Sequence, residues 1–131
     1  MYRMHIYPFL MFEGKAGEAL EFYLQLFPSA RIDHMEVYGA DGPGPEGSVK
    51  NAIFSLAGQT VMCTDSFVKH DFTFTPAFSF FVNCDSDAEI ERLCSALSED
   101  GKVSMPLNDY GFSRKFAWVG DRFGVSWQLY L

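Results

Sequence analysis

The feature that most constrains the fold is an internal repeat, in which one pattern of strands and a helix occurs twice at an offset of 70 residues. The apolar helix stripe contains Leu20 and Tyr23 in the first half, and Ile90 and Leu93 take their places in the second. Each half predicts the order β-α-β-β-β. Because one helix covers only one face of a sheet, the uncovered faces must close around a hollow, within one chain or across a dimer. The sequence therefore predicts an α+β fold of two β-α-β-β-β modules forming a cup-shaped mixed sheet.

Hydrophobic periodicity places two modules, at about residues 1–66 and 77–131, in a single domain of 131 residues. In the first module it predicts a strand at 6–12, a helix at 15–27 and strands at 30–38, 48–56 and 59–65. In the second it predicts a strand at 78–84, then a helix, then strands at 102–107, 112–119 and 125–131. The second helix opens on the capping box Ser86-Asp87-Ala88-Glu89, and Gly101 is its expected C-terminal cap.

Three local signals refine this outline. The Gly- and Pro-rich stretch 39–47 predicts a semi-rigid loop at the rim of the cup. Ala57-Gly58-Gln59 predicts a tight hairpin turn. The apolar run at 6–12 is interpreted as a buried strand rather than a signal peptide, because no small-residue cleavage site follows it.

The composition excludes several classes of protein. With 48% hydrophobic and 17% aromatic residues, the chain cannot be a disordered one. Its net charge of −7 repels phosphate backbones and anionic lipids, so nucleic acid and membrane surfaces are poor partners. No apolar run approaches the roughly 18 residues of a membrane span. Cys63, Cys84 and Cys94 show no CxxC spacing, so we expect reduced thiols in a cytoplasmic protein.

Three motifs carry a resemblance to a known family. They are Phe12-Glu13-Gly14-Lys15-Ala16-Gly17-Glu18-Ala19 with Phe22-Tyr23 and Phe27-Pro28, then Gly42-Pro43-Gly44-Pro45-Glu46-Gly47-Ser48-Val49, and finally Trp118-Val119-Gly120-Asp121-Arg122-Phe123-Gly124-Val125-Ser126-Trp127-Gln128. The chain resembles the vicinal oxygen chelate superfamily of glyoxalases, bleomycin-resistance proteins and extradiol dioxygenases. Within it, the chain is similar to the PhnB-like branch, often called 3-demethylubiquinone 3-methyltransferase-like. The resemblance implies the glyoxalase/bleomycin-resistance-like fold, on which many chemistries occur.

The resemblance also implies where a metal would be held. Metal-dependent members have four ligands, typically His and Glu, one each from the first and the last strand of each half. Those positions correspond here to Pro8, Cys63, Ser79 (or Phe78) and Gln128. Proline offers no ligating side chain, and neutral serine and glutamine oxygens bind divalent ions weakly. We therefore expect no metal and no cofactor.

The methyltransferase name of the branch implies a chemistry that the sequence does not support. S-adenosylmethionine enzymes of the usual class need a Gly-rich turn between a strand and a helix of a parallel sheet. The GxGxxG spacing at 42–47 is expected to lie in a loop that does not lead into a helix, and most connections of the chain are too short for parallel crossovers.

Cys63 is the first candidate for a ligand-binding residue. Strand alternation puts it on one face with Val61 and Asp65, and the register of the resemblance points that face into the pocket. A pocket thiol could act as a nucleophile if a neighbour lowered its pKa. A free cysteine is more often a small buried hydrophobe, and both interpretations stay open on the sequence alone.

Gln128 is the second candidate, and Ser79 is expected to act with it. Gln128 alternates with Ser126 and Tyr130 on one strand face, whereas Trp127 should point to the helix layer. A primary amide both donates and accepts hydrogen bonds, so it can orient a carbonyl or hydroxyl group in an apolar cavity.

Aromatic side chains of the late strands predict a lining for that cavity. Trp118 is the fourth candidate, with Tyr110, Phe112 and Phe116 near it in sequence. Rings of this kind stack on planar ligands. His5, His34 and His70 fall on different elements and are interpreted as surface residues.

Three functions follow from these observations. The first is a metal-free protein that binds a small apolar or aromatic molecule in a sheet-lined pocket, as a homodimer. The second is a superfamily lyase, isomerase or dioxygenase that uses a shifted metal site or Cys63 as a reactive group. The third is a dimeric interaction protein whose pocket is vestigial.

Overall fold

The computed structural model describes residues 4–131, which divide into two compact units between His70 and Asp71. The elements of unit one are β1 (Phe9–Phe12), α1 (Ala16–Leu26), β2 (Arg31–Val37), β3 (Val49–Leu56) and β4 (Gln59–Asp65). Its four strands form one sheet in the order β1-β4-β3-β2. β1 runs parallel to β4, and the other neighbouring pairs are antiparallel.

Unit two repeats the same arrangement. Its elements are β5 (Ser79–Asn83), α2 (Asp87–Ser98), β6 (Lys102–Asn108), β7 (Phe116–Gly120) and β8 (Ser126–Tyr130). The sheet order is β5-β8-β7-β6, with β5 parallel to β8 and the remaining pairs antiparallel. The predicted α+β fold with two β-α-β-β-β modules is therefore confirmed.

Two strands begin three or more residues later than predicted. β1 begins at Phe9 rather than at residue 6, and Pro8, which has no N–H, contributes only a carbonyl that accepts from the Met62 N–H at 2.9 Å. β7 begins at Phe116 rather than at residue 112. Residues 111–114 form bends, with Gly111 at a φ of +95°, so the strand begins only after them.

α1 packs one apolar stripe on the sheet of unit one. Its buried residues, which face β3 and β4, are Ala16, Ala19, Leu20, Tyr23 and Leu26. This is the i, i+3, i+4 pattern that the sequence predicted. The hairpin turn between β3 and β4 is also confirmed: Ala57 and Gly58 both have positive φ, +47° and +85°, as a two-residue turn of the favoured hand requires.

The predicted capping box of α2 is confirmed. The Glu89 N–H donates to Ser86 Oγ at 3.1 Å, and the Glu89 carboxylate accepts in return from the Asp85 N–H at 2.7 Å. At the other end of α2, Asp100 rather than Gly101 adopts the left-handed conformation, with a φ of +57°. Gly101 is needed for another reason, because a Cβ there would collide with the backbone of Gly120 in β7 and approach the Asp121 carbonyl carbon to 3.1 Å.

Substituting Gly101 by Ala is therefore expected to lower the free energy of unfolding by about 1–3 kcal/mol, the usual cost of overpacking. Gly17 supplies a matched control, because it lies within α1 and nothing approaches its Cβ position within 4 Å. Gly17→Ala should raise the same free energy by about 0.5–1 kcal/mol. Urea unfolding of both variants measures the two changes, and an unchanged or raised free energy of unfolding in Gly101→Ala would contradict the close approach there.

No helix among residues 4–131 combines the length and the apolar character that crossing a membrane demands.

Candidate functional site

The sheet of unit two has one face toward α2 and one face away from it. Trp127 and Leu129 are fully buried and alternate along β8 with Ser126, Gln128 and Tyr130. Since α2 packs its apolar stripe on β7 and β8, the buried pair faces the helix, as predicted. The other set points to the face that α2 leaves uncovered.

Strand register gathers the candidate residues of unit two on this uncovered face. Gln128 pairs with Phe81 of the parallel strand β5 and with Trp118 of the antiparallel strand β7. Ser79 pairs with Ser126 in the same way. We call this group the open face; its members are Ser79, Phe81, Trp118, Ser126, Gln128 and Tyr130. Three of the four predicted ligand-binding residues thus lie together.

A short hydrogen-bonded chain crosses the open face. Trp118 Nε1 donates to Ser126 Oγ at 2.9 Å, and Ser126 Oγ lies 2.6 Å from Ser79 Oγ. Ser126 is only 3% exposed, whereas Ser79 and Trp118 are half-buried. Strand alternation predicts the correct face for Ser126 but does not reveal that this residue is the centre of the hydrogen-bonded chain.

Aromatic rings flank the open face. Phe81 is 54% exposed, and its ring lies 5.6 Å from the ring of Tyr130. Phe112 packs edge-on against Phe116 at 5.0 Å, and Tyr110 lies 6.3 Å from Phe112. The predicted residues Tyr110, Phe112 and Phe116 therefore cluster. Phe81 was not predicted, because only the β5–β8 register places it beside Gln128.

Cys63 lies on the face opposite to the one expected. It is 0% exposed, and Asp65, two residues on in β4, accepts a hydrogen bond from the Ala16 N–H at the start of α1. That face of β4 is thus the helix-facing one. The repeat agrees, because Cys63 pairs with Leu10 as Trp127 pairs with Phe80, so Cys63 corresponds to Trp127 rather than to Gln128.

Burial also sets the chemistry of the Cys63 thiol. Desolvation, together with the charge of Asp65, raises the pKa of Cys63 to about 12. The thiolate is the reactive form of cysteine. At neutral pH, Cys63 is therefore an unreactive thiol in the core between α1 and β4, which corrects its predicted orientation toward a pocket.

Thiol labelling of the folded protein at pH 8 tests this placement. Cys94 is half-buried on α2, so it should react before the fully buried Cys63. Replacing Cys94 by Ala should remove the fastest phase of labelling, and replacing Cys63 by Ala should leave that phase unchanged. Loss of the fastest phase in the Cys63 variant would mean that this thiol is accessible.

The four residues that the resemblance implied as metal ligands do not fit a divalent ion. Pro8 has no donor atom on its side chain, and Cys63 faces α1. Ser79 and Gln128 offer only neutral oxygens, and the Ser79 oxygen is hydrogen-bonded to Ser126. Among residues 4–131, no three His, Cys, Asp or Glu side chains are grouped closely enough to hold a metal. His34 contacts Glu36 at 3.0 Å on exposed β2, and His70 contacts Ser66 Oγ at 2.9 Å.

Two buried carboxylates have structural roles. Asp65 Oδ1 accepts from the N–H groups of Gly14 and Ala16, and Oδ2 accepts from the Val49 N–H, all at 2.9 Å. Asp121 accepts from the Phe123 and Val125 N–H groups and from the Trp127 indole, at donor–acceptor distances of 2.9, 3.0 and 2.9 Å. The role of Asp65 was not predicted, although its position at the end of β4 is a sequence signal for such a role.

Unit one contains a cleft of about 280 Å³ between Gly14, the Gly–Pro loop at Pro45, and Phe67 after β4. The loop thus borders a concavity. Asp65 lines the cleft with both carboxylate oxygens already bonded to backbone N–H groups. The Asp65 carboxylate is therefore engaged by the backbone rather than directed at a ligand.

Two β-α-β-β-β units, each with a mixed sheet covered on one face by a helix, define the glyoxalase/bleomycin-resistance-like fold of the vicinal oxygen chelate superfamily. In agreement, the fosfomycin resistance protein FosX of Listeria monocytogenes is similar in fold, with a TM-score of 0.65 over 99% of this chain and 93% of FosX, at 11% identity.

Two solved structures are much closer in sequence. A PhnB protein from Bacillus cereus, described as a 3-demethylubiquinone-9 3-methyltransferase, is 51% identical over 98% of this chain and 99% of its own, with a TM-score of 0.95. Protein PA1353 from Pseudomonas aeruginosa is 31% identical over 98% and 97%, with a TM-score of 0.83. The family described as 3-demethylubiquinone-9 3-methyltransferase matches residues 4–130, and the chain belongs to this PhnB-like family.

Proposed function

We propose that this protein is a metal-free binder of a small, planar, largely apolar or aromatic molecule, which it holds on the open face. One observation carries the proposal: Gln128 pairs in register with two aromatic residues, Phe81 on β5 and Trp118 on β7, on a face that α2 leaves uncovered. Gln128 and Ser79 would orient the polar end of the ligand, and the rings would contact its flat surface.

The energetics favour a ligand at this place. An exposed large aromatic side chain such as Phe81 leaves apolar area in water, and burying that area stabilises a complex by about 25 cal/mol per Å². Ring stacking contributes roughly 0.5–1.5 kcal/mol more. A few polar groups among apolar ones are the usual composition of a small-molecule site.

The other functions fit the described residues less well. The inaccessible Cys63 thiol disfavours an enzyme that uses it as a nucleophile. Methyl transfer is disfavoured because each sheet contains one parallel pair and no Gly-rich strand–helix turn of the S-adenosylmethionine type. We further propose that the protein acts in the cytoplasm as a homodimer, binding neither nucleic acid nor membrane.

Substituting Gln128 by Ala is expected to weaken ligand binding about tenfold, which corresponds to one lost hydrogen bond of roughly 1–1.5 kcal/mol. The melting temperature without ligand should barely change, since Gln128 is only half-buried. A thermal-shift screen of planar aromatic compounds and divalent metals identifies the ligand, and titration of both proteins gives the affinities.

Gln25→Ala is the matched control, because Gln25 is exposed on α1 in unit one. It should bind the ligand as the natural protein does. A screen in which no aromatic compound raises the melting temperature would contradict the proposal and favour the interaction protein with a vestigial pocket. A screen in which only metals do so would favour the superfamily enzyme.

A further inference from the structure

We infer that the open face presents a fixed hydrogen-bond donor, the Ser79 hydroxyl, and therefore selects an aromatic ligand that carries a neutral acceptor such as a ketone or amide carbonyl. The inference rests on the proposed function and names its substrate class. It follows from the direction of the chain Trp118–Ser126–Ser79, which the chemistry of the three groups determines.

Trp118 determines the direction of donation along the hydrogen-bonded chain. An indole nitrogen donates a hydrogen bond and cannot accept one. Ser126 Oγ, 2.9 Å from Trp118 Nε1, is therefore the acceptor of that bond. One lone pair of Ser126 is occupied in this way, and its own proton still needs a partner.

Among the described residues, the proton of Ser126 has one acceptor, Ser79 Oγ. Ser126 is 3% exposed, so leaving its hydroxyl proton unbonded would cost about 1–3 kcal/mol. Within the described part of the chain, the side chain of Ser126 contacts two polar groups, the Trp118 indole and Ser79 Oγ at 2.6 Å. Since the indole cannot accept, Ser126 donates to Ser79.

Ser79 is consequently left with a free donor. Its oxygen accepts from Ser126, and its proton can point to a ligand, because the side chain is only half-buried. Phe81 follows two residues later on the same face of β5, roughly 7 Å along the strand. A ring resting on Phe81 can therefore carry an acceptor that reaches Ser79. The net charge of −7 favours a neutral acceptor over a carboxylate.

The hydrogen-bonded chain Trp118–Ser126–Ser79 of unit two has no counterpart in unit one. In the repeat, the pair Ser79 and Ser126 corresponds to Phe9 and Met62, which pair in the same register between β1 and β4. Neither of these side chains is a strong hydrogen-bond donor. The polar chain is therefore not a general requirement of the β-α-β-β-β fold.

Two probes of similar shape test the inference: 2-acetylnaphthalene, which carries a carbonyl, and 2-isopropylnaphthalene, which does not. The natural protein should bind the ketone about tenfold more tightly, as one hydrogen bond allows. Ser79→Ala should bind both probes equally, with unchanged affinity for the hydrocarbon. Ser79→Thr, which keeps the hydroxyl, should restore the preference, and Ser95→Ala on the exposed side of α2 should not alter it.

The outcomes separate this inference from the proposed function. If neither probe binds the natural protein, the proposed function fails. If both bind with equal affinity, the open face binds aromatic compounds, but the Ser79 hydroxyl does not donate to the ligand. A preference for the ketone that persists in Ser79→Ala would also overturn the inference, because another group would then be the donor.

Discussion

Replacing Asp121 by Ala is expected to lower the free energy of unfolding by about 3–5 kcal/mol. The carboxylate accepts from the Phe123 and Val125 N–H groups and from the Trp127 indole, and all three donors lose their partner at once. Each buried donor without an acceptor costs about 1–3 kcal/mol, and water entering the gap recovers part of the sum. Urea unfolding measures the change.

Asp121→Asn refines this prediction. An asparagine can keep an oxygen toward Phe123 and Val125, but it sets an NH₂ group against the Trp127 indole, which is also a donor. The expected loss is about half that of the alanine variant. Asp71→Ala, at an exposed position, is the control and should be neutral. A loss below about 1 kcal/mol for Asp121→Ala would mean that the turn before β8 does not depend on this carboxylate.

Replacing Asp65 by Ala should have an effect of similar size in unit one, again about 3–5 kcal/mol. Asp65 bonds the Gly14 and Ala16 N–H groups at the start of α1 and the Val49 N–H at the start of β3. Its loss leaves three donors without an acceptor and removes a negative charge from the positive end of a helix.

Hydrogen exchange distinguishes this effect from a general loss of stability. In Asp65→Ala, the amides of Ala16 and Val49 should lose protection first, because each bonds directly to the carboxylate. The amides of α2, in the other unit, should change only as far as global unfolding dictates. Uniform loss of protection across both units would contradict a local role for Asp65.

Much of the fold could be predicted because the same pattern of strands and a helix occurs in both halves of the sequence. The apolar stripes at Leu20 and Ile90 and the capping box at Ser86 are local patterns. Because they depend on residues close in sequence, the folded protein keeps them. Alternation also gave the correct faces of Trp127 and Gln128. The strand ends at Phe9 and Phe116 were less predictable, since they depend on which backbone groups find partners in a neighbouring strand.

The site was harder to predict than the fold. Alternation shows which residues share a face of β4, but not which face the helix covers, and this is why Cys63 was placed wrongly. Phe81 and Ser126 acquire their roles only through pairing with residues about 47 positions away, as in the Ser79–Ser126 contact. No local sequence pattern specifies the register between strands so far apart in the sequence.

The central claim is that the open face of unit two binds a planar ligand, and nuclear magnetic resonance tests it directly. Adding 2-acetylnaphthalene to ¹⁵N-labelled protein should shift the Gln128 side-chain amide and the Trp118 indole N–H, leaving the Trp127 indole, bonded to Asp121 on the helix side, nearly unmoved. Shifts confined to residues outside the open face, or no shifts at saturating ligand, would contradict the account.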